Sequence, residues 1–257
     1  MNSPTRFVIL GSQRTGTTLI RTSLASHPDI LCHGEAFNLG RKPYKDAGGY
    51  WHFSRQSFGR RVRSILRPAA NTELFLSQLY ESDGFAAIGF KLMLNHCRAR
   101  PYIWDSLTRR NVRVLLIERR NVLKTLISRR AAQSSGVYHV SRTLRQGSAV
   151  ASWTPKKVTL DIATLRQDLE AISAEHAAWK SMVGNRLSCL DVVYEEYAAD
   201  GEAGNAAILD FLNVRPAPLK TDLKKVNPDK LEDIVENFEQ VAAELDGTRF
   251  APYLTES

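Results

Sequence analysis

The sequence predicts an α/β fold of three layers, with a mostly parallel central sheet flanked by helices. Three observations predict it. Phe7–Leu10 is a continuous apolar run of strand length that leads into a glycine-bounded loop and a helical stretch. Val112–Ile117 is a second such strand candidate, followed by a helical stretch from Asn121. Further strand candidates at Ile30–Cys32, Ala86–Leu94 and Leu187–Val193 alternate with further helical stretches. Strands covered on both faces read as unbroken apolar runs, and strand–helix alternation marks a parallel sheet.

In chain order, a helix is predicted over Thr18–Ser26, with Leu19, Ile20, Ser23 and Leu24 on one face. His27-Pro28 stops it, because the residue before proline is pushed out of the helical region. Asn38–Ala70 is rich in Gly, Arg and aromatics and has no clear period. It reads as an irregular, substrate-facing segment with one helix near Phe58–Leu66. Asn71–Glu81 and Asn121–Ala132 read as helices. Gln133–Val158 is polar and aperiodic, as in a lid or binding loop. Ile162, Leu165, Leu169, Ile172, His176 and Trp179 recur at helical spacing, which makes Trp179 a core residue. Helices near Ala206–Leu212 and over Leu231–Leu245 complete the chain. Residues 1–257 read as one domain.

Composition narrows the chemistry. With 257 residues and 43% hydrophobic content, the chain is long enough for one sizeable core. Its formal net charge, 35 − 27 = +8, favours anionic partners. Cys32, Cys97 and Cys189 are far apart, with no zinc-site spacing and no disulfide framework. No apolar run approaches the ~20 residues of a membrane span, and the first residues lack the pattern of a signal peptide. A cytoplasmic location is expected.

The loop from Gly11 to Thr18, GSQRTGTT, has the length of the G-x-x-x-x-G-K-[ST] phosphate loop, so the fold is expected to be P-loop-like. The candidates to bind phosphate are the N–H groups and side chains of Ser12, Gln13, Arg14, Thr15, Gly16, Thr17 and Thr18. A helix starting there adds roughly half a positive charge at its N-terminus. Thr17 replaces the lysine of an ATP-binding loop, which weakens ATP chemistry; Arg14 supplies a planar cation instead. A second element follows Val112–Ile117: Arg120 at the strand's end, and Ser128 two turns into the next helix. One arginine and one hydroxyl suit a second, separate phosphate at the carboxyl edge of a parallel sheet.

With both elements in view, the sequence resembles the sulfotransferases that use 3′-phosphoadenosine 5′-phosphosulfate. The resemblance lies in SQRTGTT after a strand, and in RNVLKTLIS, Arg120 to Ser128. HPDILCHGEAF, GFKLMLNH, VVYEEY and NPDKLEDIVENFEQVAAELDGT are similar to the bacterial carbohydrate-type branch, the nodulation-factor and trehalose sulfotransferases. The resemblance implies that the first loop holds the 5′-phosphosulfate and that Arg120 and Ser128 hold the 3′-phosphate, with no metal required. It implies in-line sulfuryl transfer to an acceptor hydroxyl or amine. Arg14 then stabilises charge on the leaving phosphate, where members of the family often carry lysine. Glu35, in HGEAF, matches the branch's general base; His33 and His96 are rivals for that role. Lys91, at the end of GFKLM, is a candidate to reach the sulfonate or the acceptor.

Tyr44, Trp51 and Phe53 with Arg55, Arg60 and Arg61 read either as a sugar or polyanion platform or as a satellite core. His27 either ends the first helix or lines the site. Trp153 is a candidate stacking residue, and Lys224 and Lys225 are candidates to extend the 3′-phosphate site. The expected partner is a small-molecule or glycan acceptor, with no nucleic acid; a homodimer is left open. Two other functions compete: a P-loop kinase, with Glu118 after a strand as a magnesium ligand, and a non-enzymatic polyanion-binding module.

Overall fold

The computed structural model describes residues 3–38, 49–135, 157–223 and 230–255. Tyr44, Trp153, Lys224 and Lys225, with most of the 133–158 segment, lie outside them. The chain divides into two compact units, the first comprising residues 1–12, 16–118 and 180–221, the second 13–15, 119–179 and 222–257.

The first unit is built on a parallel sheet of five strands: β1 (Thr5–Gly11), β2 (Ile30–Glu35), β3 (Ala87–Met93), β4 (Arg113–Glu118) and β5 (Cys189–Val193). Their order is β2-β3-β1-β4-β5, so β1 is central and is paired on both sides. All five were legible as apolar runs. The helices between them are α1 (Thr17–Leu24), α2 (Gly49–Phe53), α3 (Phe58–Leu66), α4 (Pro68–Tyr80), α5 (Leu94–Ala99) and α6 (Tyr102–Arg109). Alternate residues of each strand serve opposite faces. Phe7 and Ile9 join Leu115, Ile117 and Val192 in a cluster with Ile20 and Leu24 of α1. On the other face Phe90 meets Phe37 and Tyr80, and Phe37, Tyr50, Phe53 and Phe75 pack ring on ring at centroid distances of 5.3–6.5 Å. Phe53 thus belongs to a satellite core. Trp51 is half-buried beneath the Arg55 guanidinium, 4.5 Å from its ring centroid.

Gly89 shows how tightly the sheet packs. It is level with Phe7 on the neighbouring strand, and a Cβ built there would lie 2.5 Å from the Phe7 ring. Phe7 is fully buried and has nowhere to move. Gly89→Ala is therefore expected to cost about 2–3 kcal/mol by overpacking, seen as a lower urea midpoint with an unchanged m-value.

The second unit packs α7 (Val122–Ser135) against α8 (Leu165–Gly184) and the C-terminal elements. Val122, Leu123, Leu126 and Ile127 of α7 share a buried cluster with Leu165, Leu169 and Ile172 of α8 and with Val241 and Leu245. Asn121 caps α7, its Oδ1 accepting from the Lys124 N–H at 2.8 Å while its amide donates to the Tyr253 carbonyl at 2.9 Å. Trp179 is half-buried, not core: the helical spacing that carries Leu165 to Ile172 inward leaves it partly exposed near the end of α8. Ile162 precedes α8 and packs on the cluster from outside it.

The expected single helix over Leu231–Leu245 is interrupted. Leu231–Asp233 is a short 3-10 turn, and α11 begins only at Phe238. Between them Val158 N–H donates to the Ile234 carbonyl at 2.8 Å, and Glu236 N–H to the Val158 carbonyl at 2.9 Å. Asn237 completes the break, its side-chain amide pairing with both backbone groups of Leu160. Before this segment, in the first unit, α9 (Tyr194–Ala199) and α10 (Gly201–Phe211) follow β5; α10 covers the α1 side of the sheet through Ile208 and Leu209.

Candidate active site

The loop after β1 has a conformation that collects backbone N–H groups. Arg14 is left-handed at φ 69° and Gly16 at φ 96°. A non-glycine residue in that region is uncommon, and such turns point successive N–H groups into one concavity. Gly16 is the N-cap of α1 and offers no side chain to the first-turn N–H groups. A Cβ on Gly16 would come within 2.4 Å of the Tyr194 ring, so both the φ angle and that contact require glycine. Ser12, Thr15 and Thr17 are buried, Thr18 and Arg14 partly so, and Gln13 is exposed.

Within the first unit the ends of β2 and β3 bring together a charged pair that reaches the start of α1. Lys91, only 6% exposed, forms an ion pair with Glu35 at 3.0 Å and donates to the Thr18 hydroxyl at 2.8 Å. A bulge creates this pairing. His33 is level with Phe90, and the register then slips so that Glu35, not Gly34, is level with Lys91. One extra residue in a strand re-aims every side chain beyond it, so Glu35 faces the same way as Lys91. Asn38 donates to the other Glu35 oxygen at 2.9 Å. Burial pushes the Glu35 carboxyl up, but the adjacent Lys91 charge and hydrogen bond, with His96 and Asn38, bring it net below the usual carboxylate range. Stability drawn from this pair is complete above the ordinary carboxyl value and is lost as pH falls through the lowered one.

His96, on α5, is buried at this cluster. Burial lowers its imidazole to about 4 despite Glu35, with Arg100 and Lys91 adding to the fall. It is neutral at pH 7, and among the described residues its Nδ1 has no hydrogen-bond partner. His33 is buried in β2, one position before the bulge begins to turn the chain. His27 takes no part: the Asp29 N–H donates to its Nδ1 and its Nε2–H donates to the Arg215 carbonyl, each at 3.0 Å.

Within the second unit the two sequence-predicted phosphate elements meet. Arg14 Nε donates to Ser128 Oγ at 2.8 Å. Two arginines hold the same loop by its carbonyls: Arg119 donates to the Arg14 oxygen at 3.5 Å and Arg129 to the Gln13 oxygen at 3.3 Å. Arg129 is itself placed by Glu175, 3.7 Å away. Arg120 is exposed at the start of this segment. Sequence reasoning missed Arg119, Arg129 and Asn38. It also passed over Lys124, buried one turn before Ser128 and on the same stripe of α7, which i,i+4 spacing makes legible. Among the described residues, no group of three or more His, Cys, Asp or Glu converges as a metal site would.

The central β1 with its phosphate-type loop and the basic element after β4 both lie in a stretch that matches a known family. The model of the "Sulfotransferase family" matches residues 5–218. The chain belongs to the sulfotransferase family. This sulfotransferase is 25% identical over 243 residues to Nodulation protein H of Rhizobium meliloti, covering 93% of this chain and 90% of the relative. It is 26% identical over 211 residues to Nodulation protein H of Rhizobium tropici, covering 82% and 76%. The crystal structure of a sulfotransferase from Alicyclobacillus acidocaldarius superposes with a TM-score of 0.51 at 17% identity, over 98% of this chain and 93% of that one. That likeness is one of fold. The matched family and the fold together identify an enzyme, and no helix among the described residues is long and apolar enough to cross a membrane.

Proposed function

We propose that this sulfotransferase moves a sulfuryl group from 3′-phosphoadenosine 5′-phosphosulfate to a hydroxyl or amine of a carbohydrate or other small-molecule acceptor. The observation that carries the reading is the Arg14–Ser128 hydrogen bond. It joins the loop cation to the hydroxyl expected at the second phosphate. The donor set fits such a substrate: a left-handed loop, an uncapped helix start, hydroxyls and arginines. The substrate, when bound, supplies the activated sulfuryl group.

The chain's own residues then divide the work. Backbone N–H groups of residues 12–18, with the Thr17 and Thr18 hydroxyls, hold the 5′-phosphosulfate; Arg120 and Ser128 hold the 3′-phosphate. Arg14 places fixed positive charge where the leaving oxygen gains negative charge, the arrangement that contributes most in transfer reactions. Lys91 holds Glu35 ionised and directs a cation at the sulfonate oxygens. Glu35 accepts the acceptor's proton. His96, neutral at pH 7 and buried beside the Glu35–Lys91 pair, serves as a hydrogen-bonding wall. Relatives that are nodulation proteins are in keeping with a carbohydrate acceptor.

Calorimetry with adenosine 3′,5′-bisphosphate and a chelator tests the nucleotide assignment. Binding is expected, weakened at least ~10-fold by Ser128→Ala through loss of a phosphate hydrogen bond. Absence of heat, or a preference for ATP with magnesium, sinks it. A sulfate-transfer screen against cell extracts then identifies the acceptor.

A further inference from the structure

Helix α3 faces the wrong way for a helix that packs on a protein core. Phe58, Ile65 and Leu66 are 83%, 72% and 73% exposed, and none of the residues of α3 is buried. At 100° per residue these three and Val62 form one stripe. Arg60 lies on the opposite side, its guanidinium 4.3 Å from the centroid of the Phe53 ring. The helix thus turns its Arg60 side to the body and presents its apolar side outward. Leu74 of the adjacent α4 is also exposed, at 40%. The normal arrangement is the reverse.

Charge decides among occupants. From Ala47 to Thr72 the chain carries Arg55, Arg60, Arg61, Arg63 and Arg67 and no Asp or Glu. Arg61 and Arg63 are exposed on either side of the apolar stripe, and Arg67 is exposed at the end of the helix. Ser57 caps α3 by accepting from the Arg60 N–H at 3.2 Å, so the helix has its own start signal. A second copy of the same face would set arginines against arginines. A surface both anionic and apolar satisfies both features, and a bilayer containing anionic lipid is such a surface. We propose that α3 is an interfacial helix that docks this enzyme on anionic lipid. Phe58, Ile65 and Leu66 enter the headgroup boundary, and the flanking arginines neutralise lipid phosphates. The helix lies along the surface and does not span it.

Vesicle flotation of the full chain tests this, with phosphatidylcholine alone and with phosphatidylcholine mixed with phosphatidylglycerol. Binding to the mixed vesicles is expected to be at least ~10-fold tighter and to weaken at high salt. The triple variant Phe58→Ser, Ile65→Ser, Leu66→Ser and the double variant Arg61→Glu, Arg63→Glu should each lose it. Both sets of side chains are exposed, so melting temperature and adenosine bisphosphate binding should stay at the parent values. Failure to bind mixed vesicles, equal binding to both kinds, or undiminished binding by the triple variant overturns the proposal. So does a dimer in light scattering that the triple variant converts to monomer, which would give the face to a second copy.

Discussion

Glu35→Gln is expected to lower turnover at least ~100-fold while leaving affinity for adenosine 3′,5′-bisphosphate within about twofold of the parent. Glutamine has nearly the same shape, and its carbonyl can still accept from Lys91, which stands 3.0 Å from the carboxylate. The fold around β2 and β3 should therefore persist, and a melting temperature close to the parent's checks that it does. What glutamine lacks is the capacity to take a proton. A carboxylate held below its usual range is fully ionised at neutral pH, so the acid limb of kcat/KM should lie in the acid region and be absent from the pH 6–8 window. Near-normal turnover by Glu35→Gln would remove Glu35 from the role and return the question to His33 and His96.

Lys91→Met should have the second largest effect, for a different reason. Lys91 is buried and serves both Glu35 and Thr18. Burial alone raises the Glu35 carboxyl, and Lys91 is the largest influence opposing it. Without Lys91 the carboxyl should rise, so the acid limb of kcat/KM moves to higher pH. Turnover at neutral pH should fall about 100-fold, the usual loss when one fixed charge aimed at a transition state is removed. Two readouts separate this from simple loosening of the sheet: the displaced acid limb, and partial recovery by Lys91→Arg, which keeps the charge. An unmoved acid limb would show that Lys91 does not govern the proton on Glu35.

These predictions rest on features of unequal legibility. The five strands stood out as apolar runs because a parallel sheet covered on both faces admits few polar residues. The phosphate-type loop was readable because only glycine tolerates the φ of Gly16 and its contact with Tyr194. Ser128 was singled out by its place two turns into the helix after β4, and the structure brings Arg14 to it. Trp179 was misread because helical period says which face a residue lies on but not where the neighbouring layer ends. The broken Leu231–Leu245 segment was misread because its interruption comes from backbone pairing with Val158, more than seventy residues away in sequence.

The sequence alone determined the chain order of the five strands, the loop that follows β1, and the family to which the chain belongs, because each of these is encoded in short, contiguous runs of residues. Only the tertiary structure decided that Glu35 is level with Lys91, that Arg14 reaches Ser128, and that α3 turns its apolar stripe outward. Each of those depends on a register slip, a left-handed turn or the placement of a neighbouring layer. Such features arise from contacts between distant residues, and no local pattern specifies them.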